Sequence, residues 1–172
     1  MKARANKLRV LAIDPGYDRL GLAVVEGDPS KPTYVWSACV EPSRGEGSAR
    51  LAEVAKAVTA AIKKYHPNLV ALETLFFSVN KKTALKVAEA RGTVLAAAGL
   101  AGVAVIEYSP QQVKLAVTGY GAADKRGVAN MIPKLIALPP LANKGRDRRD
   151  DELDAIALGI AALAQKSVFA QL

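Results

Sequence analysis

Two short apolar runs that each stop on a carboxylate constrain this chain more than any other feature. Leu8-Arg9-Val10-Leu11-Ala12-Ile13 runs into Asp14-Pro15-Gly16, and Leu69-Val70-Ala71-Leu72 runs into Glu73. Short apolar runs bounded by turn formers read as buried strands. A carboxylate at the rim of a core is costly unless a cation or donor offsets it. If the two strands are neighbours, both acids leave the sheet at adjacent strand ends, where α/β sites usually sit.

The rest of the chain fits around those strands. Leu20–Val25 and Tyr34–Val40 are further strand-like runs, with Gly27, Pro29 and Pro32 between them, so the first forty residues read as an antiparallel meander. Ser48 reads as the N-cap of an amphipathic helix carrying Leu51, Val54, Val58, Ile62 and Tyr65, which Pro67 stops. Residues 82–98 are helical in composition, and Ala84, Ala88, Gly92, Ala96 and Gly99 form a stripe small enough for another helix to approach closely. A strand is expected over 103–108, a short helix over 111–117 and a glycine-rich loop at Thr118-Gly119-Tyr120-Gly121. A helix is expected over 123–138, kinked or shortened by Pro133 and ended by Pro139 and Pro140. Residues 143–149 read as a basic loop. The last helix, 150–165, sets Leu153, Ile156, Ile160 and Leu163 on one side. Three strands followed by alternating helices and strands predict one α/β domain over residues 1–172, core about 8–165, with a mixed central sheet flanked by helices.

Composition narrows the chemistry. Cys39 and His66 are the only cysteine and histidine in 172 residues. An intrachain disulfide framework and a CxxC zinc site are excluded, as is any His-dependent triad not built on His66. His66 precedes Pro67 at a helix end and reads as a surface residue. No stretch approaches the ~18–20 apolar residues that span a bilayer, and the basic start runs straight into a strand without signal-peptide features. The expected compartment is the cytoplasm. Lys and Arg number 24 against 16 Asp and Glu, a net charge of +8 that favours a polyanionic partner.

A third acidic group opens the last helix: Asp150, Asp151 and Asp154. Asp151 and Asp154 lie about 60° apart around a helix axis, and Asp150 and Asp154 about 40°, so spacing alone leaves both pairs open. Each acid also has an ordinary reading. Asp14 could serve its turn, Glu73 could begin a loop, and acids in a first helical turn are favoured by the helix dipole. Together, three or four convergent carboxylates without His or Cys are hard oxygen ligands suited to Mg²⁺ or Mn²⁺. In a basic protein that meets phosphates, such acids would repel the substrate. Two divalent ions ~3.5–4 Å apart would reverse the local sign and clamp both oxygens of an in-line phosphodiester displacement.

Ile13-Asp14-Pro15-Gly16 with Gly21, Leu72-Glu73-Thr74-Leu75-Phe76, Ala90-Arg91-Gly92, Gln112-Val113-Lys114 and Asp151-Glu152-Leu153-Asp154-Ala155-Ile156-Ala157 resemble, in order and spacing, the RuvC family. The resemblance covers roughly residues 8–165. It implies a ribonuclease H-like fold and a Holliday junction resolvase, with symmetric, metal-dependent cleavage that leaves 5′-phosphate and 3′-hydroxyl ends in recombination and repair. It implies Asp14, Glu73, Asp151 and Asp154 as catalytic, metal-binding carboxylates, the family frame choosing Asp151 over Asp150. Two Mg²⁺ per site are implied, with Mn²⁺ able to substitute. Phe76 falls where the family stacks an aromatic on an unpaired base, a role Phe77 could share. Lys114 and Lys125 match lysines near the scissile phosphate. The basic loop ending in Arg148 and Arg149 could reach DNA backbone or be merely solvated. A homodimer, a four-way DNA junction and the RuvA–RuvB branch-migration complex are the implied partners. Residues 82–98 are the candidate dimer helix.

Two rivals come from other classes. Asp14-x-Gly16-x-x-x-x-Gly21 also fits the phosphate loop of actin and sugar-kinase-type ATP-binding proteins, although those need two such domains around the nucleotide. A non-catalytic junction- or RNA-binding module would gain nothing from four carboxylates. Gly119-Tyr120-Gly121 with Lys125 lacks the full phosphate-cradle pattern and reads as a loop near DNA.

Overall fold

The first three strands form the expected meander. In the computed structural model, which describes residues 7–16, 18–28, 30–43, 47–74, 81–140 and 148–165, β1 (Leu8–Pro15) pairs antiparallel with β2 (Leu20–Asp28), and β2 with β3 (Lys31–Val40). The chain leaves through α1 (Gly47–Tyr65) and returns as β4 (Leu69–Glu73), parallel to β1 on its other side. It then crosses through α2 (Lys81–Leu100) to β5 (Ala104–Tyr108), parallel to β4. The order is β3-β2-β1-β4-β5, followed in sequence by α3 (Pro110–Thr118), α4 (Lys125–Leu135) and α5 (Asp150–Ala164). Ile13 is in register with Leu72, so the strands ending in Asp14 and Glu73 are neighbours.

Strand alternation divides the core into two layers. Val10 and Ala12 of β1, Ala23 and Val25 of β2, and Leu69 and Ala71 of β4 pack against α3, α4 and α5. Leu11 and Ile13, Leu22 and Val24, and Val70 and Leu72 pack against α1 and α2. By the same alternation Asp14, Gly21 and Glu73 all face the α5 layer. Asp14 and Gly21 are cross-strand partners.

Several helix ends differ from expectation for local reasons. α1 already includes Gly47, so Ser48 lies inside the first turn instead of capping it. His66 takes a left-handed φ of 47°, donates its N–H to the Ile62 carbonyl and is exposed, closing α1 before Pro67. α3 carries a reciprocal capping box between Ser109 and Gln112, with Pro110 at its first position and Gly119 left-handed after its end. α4 is shorter than the 123–138 span. Asp124 caps it by accepting from the Gly127 N–H, and Pro133, which has no N–H to offer the Ala129 carbonyl, sits in its last turn. α5 is not one-sided: every residue from Ala155 to Leu163 is buried, because the sheet covers one side and α3 and α4 cover another.

Two glycines let α5 lie so close. A Cβ at Gly159 would stand 2.7 Å from Val25 Cγ2 and 3.4 Å from Ala12 Cβ. A Cβ at Gly21 would stand 2.0 Å from the Asp151 carbonyl oxygen, where neither backbone can give way without moving the helix. Gly21→Ala is therefore expected to cost at least about 1–3 kcal/mol, a fall in Tm of roughly 2 °C or more in a chain this long. Gly92→Ala on α2, whose Cβ meets nothing within 4 Å, is expected to hold or raise the Tm. Thermal melts of the two variants test the contrast.

Candidate active site

Asp14 closes β1 with its Cα beside Gly21, and Glu73 closes the adjacent strand one step beyond the Ile13–Leu72 pair. Across them lies the first turn of α5, whose Asp150, Asp151 and Glu152 are favoured there by the helix dipole. Asp14, Glu73 and Asp154 share an open cleft of about 330 Å³ with Lys114 of α3 and Lys125 of α4. Glu73 is held by its main chain as well as its strand. The Arg91 guanidinium donates to the Glu73 carbonyl and pairs with Glu107, and the Thr74 N–H donates to the Tyr108 carbonyl at 2.9 Å.

The acids strain one another electrostatically. Burial, and then the charges of Glu73, Asp154 and Asp151, push the Asp14 carboxyl up to about 7, against a smaller opposing pull from Lys125. Burial and Asp154 also raise Glu73, while Lys125 and Lys114 oppose the shift. Lys125 is raised in turn, chiefly by Asp154, to which its Nζ donates at 3.1 Å. Asp151 turns the other way: its Oδ2 lies 3.5 Å from Arg19 Nη1 and 3.9 Å from the Cys39 sulfur. Asp150 is exposed, and its charge reaches Lys125.

Among the described residues no three His, Cys, Asp or Glu side chains are drawn together tightly enough to hold an ion; Lys125 pairs with Asp154 and Arg19 with Asp151. The donor chemistry nevertheless suits a hard divalent cation. Four carboxylates offer only oxygen, and Asp14 experiences the charges of all three others, an imbalance a divalent cation would neutralise.

The remaining sequence-derived candidates fall in different places. Phe76 and Phe77 lie outside the described residues. Arg149 is the N-cap residue of α5, exposed and paired with Glu41. Arg148, expected among the DNA-backbone contacts, has a side chain 9% exposed that donates to Glu152, Ser37, Tyr34 and the Pro139 carbonyl, so its partners in this structure are the fold's own groups. Sequence reasoning missed Arg19 and the anchoring role of Arg91. The Ala-Arg-Gly motif marked Arg91 without showing that its partner would be a main-chain oxygen.

A mixed sheet with helices on both faces and carboxylates at adjacent strand ends is the architecture of a ribonuclease H-like domain. The family model for crossover junction endodeoxyribonuclease RuvC matches residues 10–162. A RuvC from Rubrobacter xylanophilus is 41% identical over 161 residues, 93% of this chain and 87% of that one. The Thermus thermophilus RuvC structure superposes with a TM-score of 0.79 at 33% identity, covering 95% of this chain and 96% of that one. The same protein in complex with a Holliday junction substrate gives 0.81 at 34% identity, covering 90% and 92%. The chain belongs to the RuvC family.

The raised Asp14 carboxyl has a stability consequence. Between the ordinary value of 3.8 and about 7, the folded protein keeps a proton that the unfolded chain has released. Asp14 therefore costs metal-free stability as pH rises through that window, at about 1.4 kcal/mol per pH unit at most, and the loss is complete above it. Metal-free Asp14→Asn is expected to melt above wild type at pH 8, the gap closing towards pH 4. Melts in EDTA across that range test it.

Proposed function

We propose that this chain resolves four-way DNA junctions by divalent-metal-dependent phosphodiester hydrolysis, cutting two strands symmetrically to leave 5′-phosphate and 3′-hydroxyl ends. The observation that carries the reading is the convergence of Asp14, Glu73 and Asp154 on one face of the sheet edge, beside Lys114 and Lys125, in a chain that belongs to the RuvC family. Asp14, Glu73, Asp151 and Asp154 are the residues that would hold two Mg²⁺, or Mn²⁺ in their place. When bound, the metal supplies the positive charge and the water activation that phosphodiester hydrolysis needs. The chain's own groups do the rest. The backbones of Asp14 and Glu73 are fixed by the sheet, so both carboxylates start from set positions at adjacent strand ends. Lys114 and Lys125 stand in the same cleft with charges suited to a phosphate, and the net charge of +8 attracts the surrounding backbone.

A two-fold dimer would match the near two-fold symmetry of the junction. Its support lies on α2, where Leu85 is 74% exposed, Leu95 is 36% exposed, and the Cβ positions of Gly92 and Gly99 meet nothing within 4 Å. Action with the RuvA–RuvB machinery rests on family membership. No described helix is long and apolar enough to cross a membrane.

The test is cleavage of an immobile four-way junction against linear duplexes of the same arms, in Mg²⁺, Mn²⁺ and EDTA. Paired nicks confined to the junction and lost in EDTA are expected. Glu73→Gln should keep junction binding while losing cleavage by at least about 10²-fold; retained cleavage rejects Glu73 as a ligand. For the dimer, Gly92→Trp should leave the fold intact and halve the mass seen by light scattering, and an unchanged mass rejects α2 as the interface.

A further inference from the structure

We propose that Arg148 is a positioning residue for the acidic site: with Glu152 it clamps the first turn of α5 to β3 and sets the roll of the helix that carries Asp151 and Asp154. This rests on the reading of those two aspartates as metal ligands. Glu152 is the one buried charged residue among those described, at 8% exposure. Its Oε1 accepts from Arg148 Nη1 at 2.9 Å and from the Ser37 hydroxyl. Arg148 Nη1 also lies 3.0 Å from Ser37 Oγ, its guanidinium sits 5.1 Å from the centre of the Tyr34 ring, and its Nη2 donates to the Pro139 carbonyl at 2.8 Å.

Three features make this a positioning device. First, α5 has no side-chain cap: Arg149 makes no capping bond, and Glu152, which could close a capping box from the third position, turns to β3 instead. Second, Tyr34 and Ser37 can both serve the clamp because the β2–β3 register slips between Val24 and Val25. Val25 pairs with Tyr34 and Val24 with Trp36, so residues three apart share the α5 face. Third, the Gly21 contact limits how near α5 comes to the sheet, and the continuously buried part of the helix begins only at Ala155, beyond the turn that carries Asp151 and Asp154, so the orientation of that turn is left to the clamp. Side chains reach about 5–6 Å from a helix axis, so a roll of ~20–30° would carry a carboxylate by about 2–3 Å. Oxygen ligands of Mg²⁺ must lie within a few tenths of an ångström of ~2.0–2.1 Å. A buried ion pair is often replaceable by apolar groups with little loss of stability, so a role in geometry can be separated from a role in folding.

The experiment compares wild type, Ser37→Ala, and the paired replacement Arg148→Met with Glu152→Leu. Readouts are thermal melting, Mn²⁺ binding to the DNA-free protein by calorimetry, and the Mg²⁺ concentration giving half-maximal junction cleavage. The paired variant is expected to stay folded, to bind Mn²⁺ about 10–100-fold more weakly and to need correspondingly more Mg²⁺. Ser37→Ala, which removes one arm and keeps both charges, is expected to shift both metal readouts in the same direction and serves alone if the paired variant does not fold. Wild-type Mn²⁺ affinity in either folded variant overturns the proposal. Asp154→Asn runs alongside: if it too binds Mn²⁺ like wild type, the failure belongs to the acid-site reading.

Discussion

Everything that could be called a site here depends on how closely one helix lies on the sheet. α5 reaches β1 and β2 because Gly159 and Gly21 present no side chain where its backbone and neighbours need the space. Gly21 is also the cross-strand partner of Asp14. The position that admits the helix and the position that supplies the acid of β1 are thus one rung of one ladder. A side chain at that rung would separate α5 from β1, and with it the acids of the helix from the acid of the strand.

That closeness has an electrostatic cost, which the surrounding cations offset in part. Asp14 is pushed up by burial first and by three other carboxylates second. Lys125 answers Asp154, and Arg19 answers Asp151. Both cations are at least half exposed, so their pairs are worth little as stability and can be exchanged at little loss. The arrangement is the reverse of a core salt bridge. The acids are fixed by strand ends and a packed helix, while the cations come from exposed side chains free to move.

Much of this was legible in the sequence, and the limits have physical causes. Leu8–Ile13 and Leu69–Leu72 read as strands because their apolar runs are short and bounded, but whether they were neighbours stayed open until the register paired Ile13 with Leu72. The shared face of Asp14 and Glu73 needed only strand alternation once the register was known. Asp150, Asp151 and Asp154 could not be sorted by spacing, since 40° and 60° both fit one helix face; the family frame chose Asp151, and the fold leaves Asp150 exposed. The all-round burial of α5 was hidden because Ala and Gly are weak hydrophobic markers, and only the layer of α3 and α4 reveals that they are enclosed.

Arg148 shows the harder limit. In the sequence it is one of a run of basic residues, for which solvent or a phosphate is the natural partner. Its actual partners are Glu152, four residues on, and Ser37, which is brought to the same face as Tyr34 by a register slip no local pattern announces. The neighbouring Arg149 stays at the surface with Glu41. Two adjacent arginines thus take opposite roles, one turned to Glu152 and β3 and the other to Glu41 at the surface. Charge counted along a chain gives the field the protein projects; it does not say which charges are spent inside.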